Sequence, residues 1–124
     1  MANQVLLYSG SFFLLFWGLA HLFPTRSVIR EFGDISVDNK RIITMEWITE
    51  GVALIFIAVV VSCVTYLDHT SVISKSIYWI VFVMLNTLSV ISLFTGFRVA
   101  FLPYKLCPAI FSMASFLILL GSLI

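Results

Sequence analysis

The chain has 124 residues, 61% of them hydrophobic and 10% charged, with a net charge of +1. An ordinary soluble domain is roughly 45–50% apolar and about 25% charged. A chain this short has too little interior to hide so much apolar surface and too few charges to keep its outside wet, which excludes an ordinary soluble globule and a disordered chain. With almost no net field to draw it to a polyanion, it is no nucleic-acid binder either.

The charges are clustered. Nine of the thirteen are Arg26, Arg30, Glu31, Asp34, Asp38, Lys40, Arg41, Glu46 and Glu50. The rest are Asp68, Lys75, Arg98 and Lys105. Four long apolar runs remain, and each is close to the ~20 residues a helix needs to cross hydrocarbon. Strand-like alternation is absent, so a barrel is excluded. The expected fold is an all-α integral membrane protein: a four-transmembrane-helix bundle with a short interfacial helix between helices 1 and 2. It reads as a single transmembrane domain over residues 1–124. The spans are expected at about 5–23, 44–67, 76–97 and 106–124, with a loop at about 24–43.

The first run lacks a basic leader and a small-residue cleavage site, so it reads as a retained span. It stops at Phe23-Pro24, where proline disfavours helix in the preceding residue. On this run Ser11, Leu14, Gly18 and His21 follow a helical stripe, a pattern that marks packing against another helix. His21 then points into the bundle near the end of the span.

In the loop, Thr25 or Ser27 can cap a short helix that Gly33 ends. Val28, Ile29 and Phe32 share one side, which predicts a helix lying on the membrane surface. Ser36 or Asp38 can cap the next span. Glu46 and Glu50, four apart, share a face of that span. Only 17 residues separate Glu50 from Asp68, so Glu50 falls at the hydrocarbon boundary, where a carboxylate needs a partner or water. Trp47 reads as an interfacial anchor.

In the third run Asn86 sits at mid-span, with Ser89, Leu93 and Gly96 continuing its stripe. Interhelical hydrogen bonding is the expected role. Arg98 ends the run, placed to reach phosphates or to pair with Glu46 or Glu50. The fourth run starts near Pro103 and Pro108, the latter suited to a first turn. Ser112, Ser115, Leu119 and Ser122 form a further packing seam. Cys63 and Cys107 lie at different depths, on the order of 20 Å apart along the helices, too far for a disulfide. His69 lies in the outer loop, away from His21.

Six of the seven basic residues lie in the first and third loops. The positive-inside rule puts those loops in the cytoplasm and both termini outside, as in a bacterial inner membrane or another cytoplasm-facing membrane. His21, Glu46, Glu50, Arg98 and Tyr104 then converge at one depth as a ligand or ion-pair cluster, with His21 and Glu50 the catalytic candidates. Cys107 lies near the same level. Histidine with two carboxylates has the donor chemistry for a divalent metal, but no metal motif, nucleophile elbow or phosphate loop is present, so neither metal nor cofactor is expected.

Three functional readings follow. The first is a non-enzymatic binding or accessory module whose partners are the lipid bilayer and a lipophilic small molecule or further copies of itself. The second is a membrane enzyme acting on a lipid or quinone-like substrate, with His21 and Glu50 as acid and base. The third is an oligomeric transporter or channel with Glu50 as coupling carboxylate. A cavity of a few hundred Å³ lined by these groups would favour the enzyme or the carrier, and tight packing the module.

Overall fold

The computed structural model describes residues 1–124 and is all helical. Helix α1 is Ala2–Leu22, α2 is Thr25–Glu31, α3 is Val37–Asp68, α4 is Val72–Phe94 and α5 is Leu102–Leu123, with a 3₁₀ turn at Gly96–Arg98 before α5. Four helices, α1, α3, α4 (with the 3₁₀ turn) and α5, are long and apolar enough to cross a membrane. Their outward faces are large apolar side chains such as Phe12, Phe56, Ile80 and Phe116. Such surface is costly in water and at home in lipid.

Two boundaries differ from the sequence reading in a way that matters. Helix α3 begins at Val37 rather than 44, because the Ser36 hydroxyl accepts the Asn39 N–H at 3.2 Å and caps it early. Its 32 residues span about 48 Å at 1.5 Å each, longer than the ~30 Å of hydrocarbon. Helix α5 begins at Leu102, so Pro103 holds the first turn and Pro108 falls inside the helix. Pro108 therefore removes a helical hydrogen bond instead of opening the helix.

Helix α1 packs between α3 and α5, and α5 between α1 and α4. Against α3, α1 presents Ser11, whose hydroxyl donates to the Ala58 carbonyl oxygen at 2.7 Å. Its single proton being used there, Ser62 donates to Ser11 at 2.6 Å. Further along, Gly18 meets Gly51. A Cβ on Gly18 would stand 2.8 Å from the Gly51 carbonyl oxygen. Only glycine allows this approach, the small-residue logic of helix packing in lipid.

Between α4 and α5, Asn86 donates to the Phe82 carbonyl oxygen at 2.8 Å and to the Ser115 hydroxyl at 3.1 Å. Ser89 donates to the Pro108 carbonyl oxygen at 2.9 Å, and Ser112 donates to Ser89 at 2.8 Å. The stripe stops there. Leu93 is exposed, and Gly96 lies beyond the helix in the 3₁₀ turn, facing Tyr104.

Helices α3 and α4 touch sparingly. Their polar links are near the turn joining them: Tyr78 donates to Thr65 at 2.9 Å, and Ser74 donates to the Val64 carbonyl oxygen at 3.4 Å. Away from that turn the pair is open. This asymmetry, two helices joined at one end and parted at the other, leaves a lateral cleft beside Glu50.

Candidate functional site

The Gly18–Gly51 crossing builds the site. The helices run antiparallel, so the next turn of α1 lies against the preceding turn of α3. His21 thereby stacks on Trp47, with ring centroids 4.6 Å apart and planes at 28°. The Trp47 indole N–H donates to the His21 carbonyl oxygen at 2.5 Å. Trp47 is buried and serves as part of the bundle wall, not as an interfacial anchor. Its other side meets the ring of Tyr104 edge-on at 5.6 Å.

His21 is 3% exposed. Its Nδ1 lies 2.9 Å from the Trp17 carbonyl oxygen. A carbonyl only accepts, so Nδ1 carries the hydrogen. The other nitrogen, Nε2, faces Glu50 Oε1 at 3.5 Å, too far for a good hydrogen bond. Two buried polar side-chain atoms in the molecule have no hydrogen-bond partner, and they are His21 Nε2 and Trp17 Nε1. Buried polar groups are nearly always satisfied, so two such atoms on adjacent turns of one helix mark an incomplete environment.

Two spaces flank this histidine. One is a partly enclosed cavity of about 170 Å³ whose walls include Trp17, His21, Trp47, Val28, Phe101 and Cys107. Helix α2 closes its floor. Thr25 donates to the Leu22 carbonyl oxygen at 2.8 Å, which folds α2 back under the bundle and buries Val28. Ile29 and Phe32 stay partly exposed. The other space is the α3–α4 cleft of about 400 Å³, lined by Glu46, Trp47, Glu50, Met84 and Leu88. Glu50, with 43% of its side chain exposed, faces the cleft while pairing with His21. The two groups stand at the partition between an aromatic cavity and a lateral opening.

The other expected members are placed differently. Glu46 lines the cleft one turn from Glu50 without an ionic partner. Arg98 is exposed in the 3₁₀ turn and pairs with neither glutamate, because that turn sits beyond α4 and α4 stands away from α3 here. Arg41–Asp38 at the surface is an ion pair between full charges, and the His21–Glu50 approach becomes one only when His21 is protonated. Sequence reading missed Trp17 as a site residue and gave Cys107 no role beyond its depth. Cys107 is buried, and its sulfur lies with His21 and Glu50 donor atoms inside a 4.8 Å span. The available signal was Trp17 four residues before His21, one turn away on the same face. Both cysteines are free, and His69 contacts Gln4 at the opposite end of the bundle at 3.3 Å.

A larger groove of about 680 Å³ runs along the outer face of α1 beside Val5, Tyr8 and Phe12. It is wide open and mostly apolar, holds none of the buried unpartnered polar atoms, and reads as lipid-facing surface. Comparison of the chain with protein-family models, with curated proteins and with solved structures finds no match in any of the three.

Proposed function

We propose that this protein is a membrane-embedded binding module that takes a small lipophilic molecule from the bilayer and holds its polar head beside Trp17 and His21. One observation carries this reading: Trp17 and His21, whose ring nitrogens Nε1 and Nε2 are the only two buried side-chain polar atoms left without partners, both line one largely apolar cavity. A buried donor without an acceptor costs about 1–3 kcal/mol, which a fitting ligand recovers. An indole N–H only donates, so the ligand must offer an acceptor such as a carbonyl oxygen. The cavity is smaller than the ~300–1,000 Å³ of sites for drug-sized ligands. It suits a ring or headgroup, with any alkyl tail left in lipid. A quinone-like head, flat and carrying carbonyl acceptors, matches the aromatic walls. Since six of the seven basic residues are near this end, the site faces the cytoplasm with both termini outside.

A second reading makes the same pair act chemically, with His21 and Glu50 exchanging a proton with the bound molecule. What favours it is the tautomer. The Nδ1 hydrogen is held by Trp17, so Nε2 is the exchangeable position, and Glu50 connects it to the open cleft.

The binding reading is tested with decylubiquinone titrated by calorimetry into the protein in lipid nanodiscs. One saturable site per chain is expected. Trp17→Phe keeps an aromatic ring and removes the N–H, and should weaken binding about tenfold, the worth of one hydrogen bond. Trp79→Phe, on the outer face of α4, should leave affinity unchanged. Absence of saturable binding, or equal affinity in Trp17→Phe, would overturn the proposal.

A further inference from the structure

We infer that His21, Glu50 and Cys107 together bind a divalent metal ion with the ligand preference of zinc. The three come from α1, α3 and α5, far apart in sequence, and each offers one donor atom: Nε2, a carboxylate oxygen and Sγ. All three atoms lie within 4.8 Å of one another. Zinc takes histidine nitrogen and carboxylate oxygen at about 2.0–2.2 Å and thiolate sulfur at about 2.3 Å, so tetrahedral ligands stand roughly 3.3–3.8 Å apart. The His21–Glu50 separation of 3.5 Å already meets that spacing. The sulfur closes the remaining gap by turning about its own side-chain bond, since its present hydrogen bond to the Pro103 carbonyl oxygen is long, at 3.5 Å. Calcium and magnesium are excluded by chemistry, because both want all-oxygen shells.

A second, independent observation points the same way. His21 is 3% exposed, and its Nε2 has no hydrogen-bond partner. Its other nitrogen donates to the Trp17 backbone carbonyl. That is the outer contact metal-bound histidines carry, fixing the tautomer so that the free lone pair faces the ion. Binding replaces the Cys107 S–H bond with a sulfur–metal bond and releases the proton to water. His21 Nε2 and the Glu50 carboxylate bind through lone pairs that are already free, so one proton leaves in all and no electron is transferred. Three protein donors leave one position for water or an incoming oxygen atom. The site does not depend on the lipophilic ligand: the metal takes His21 Nε2 and leaves the Trp17 N–H unmet.

The metal alone provides the test. Cobalt(II) added to the purified protein in detergent should give one equivalent of thiolate-to-cobalt charge-transfer absorption, displaced by zinc. Cys107→Ser should abolish the band, Cys63→Ser should retain it, and His21→Gln should weaken binding by at least about 100-fold. Zinc should also raise the melting temperature of the parent and of Cys63→Ser but not of Cys107→Ser. If a variant fails to fold, the parent decides alone: zinc should slow alkylation of Cys107 by N-ethylmaleimide, read by mass spectrometry. No thiolate band in the folded parent, a band that survives Cys107→Ser, or alkylation unaffected by zinc would overturn the inference.

Discussion

Gly18→Leu should strongly destabilise the bundle and lower its melting temperature. The first added carbon already stands 2.7 Å from the Ile55 side chain and 2.8 Å from the Gly51 carbonyl oxygen. A side chain can yield, but a backbone oxygen in the middle of α3 cannot without moving the helix. Overpacking a tight interior costs about 1–3 kcal/mol, and here separation of α1 from α3 adds to it. Separation breaks the Ser11 hydrogen bonds and the His21–Trp47 stack together. A total loss of at least about 3 kcal/mol is expected, a large share of a typical stability of ~5–15 kcal/mol. Gly96→Ala is the control, since a Cβ there meets nothing nearer than 3.5 Å. Thermal unfolding in detergent, followed by helical circular dichroism, should show a large drop for the first and almost none for the second.

His21→Ala should carry the next largest loss, about 3 kcal/mol by analogy with other large-to-small changes in cores. The ring is buried between Trp17 and Trp47, and its removal also deprives the Trp17 carbonyl of a donor. Glu50→Gln should cost under about 1 kcal/mol, because its side chain is 43% exposed and such pairs are screened. A double-mutant cycle with His21→Gln and Glu50→Gln should give a coupling of about 0.5–1 kcal/mol. Zero coupling in denaturation experiments would mean that the 3.5 Å approach carries no energy.

The contrast between these residues shows what was legible in the chain. Apolar runs separated by charges declare the number of helices, because the length needed to cross hydrocarbon is fixed. Ser11, Gly18, Ser89 and Ser115 declared their packing faces, because small residues at helical spacing have little other use in lipid. Convergence of His21 and Glu50 followed from depth alone. Depth does not say which helices are neighbours. Arg98 stands at the expected end but beyond a helix that leaves α3, so it reaches neither glutamate. Cys107 shares its helix with a packing seam, and only the placement of α5 against α1 brings its sulfur to His21. Trp47 looked like a membrane anchor because tryptophan at a span's edge usually is one. The close Gly18–Gly51 contact turned it inward instead.

A lipophilic molecule is expected in the cavity between Trp17, Trp47 and Cys107 rather than in the larger groove on α1. Photolabelling in nanodiscs with an azido-quinone, followed by peptide mass spectrometry, distinguishes the two. The expected adducts fall on Trp17, Val28, Phe101 or Leu106, all of which line that cavity, and excess decylubiquinone should suppress them. Adducts confined to Val5, Tyr8 and Phe12 of the outer groove, or labelling of the cavity that no excess of quinone suppresses, would contradict that placement.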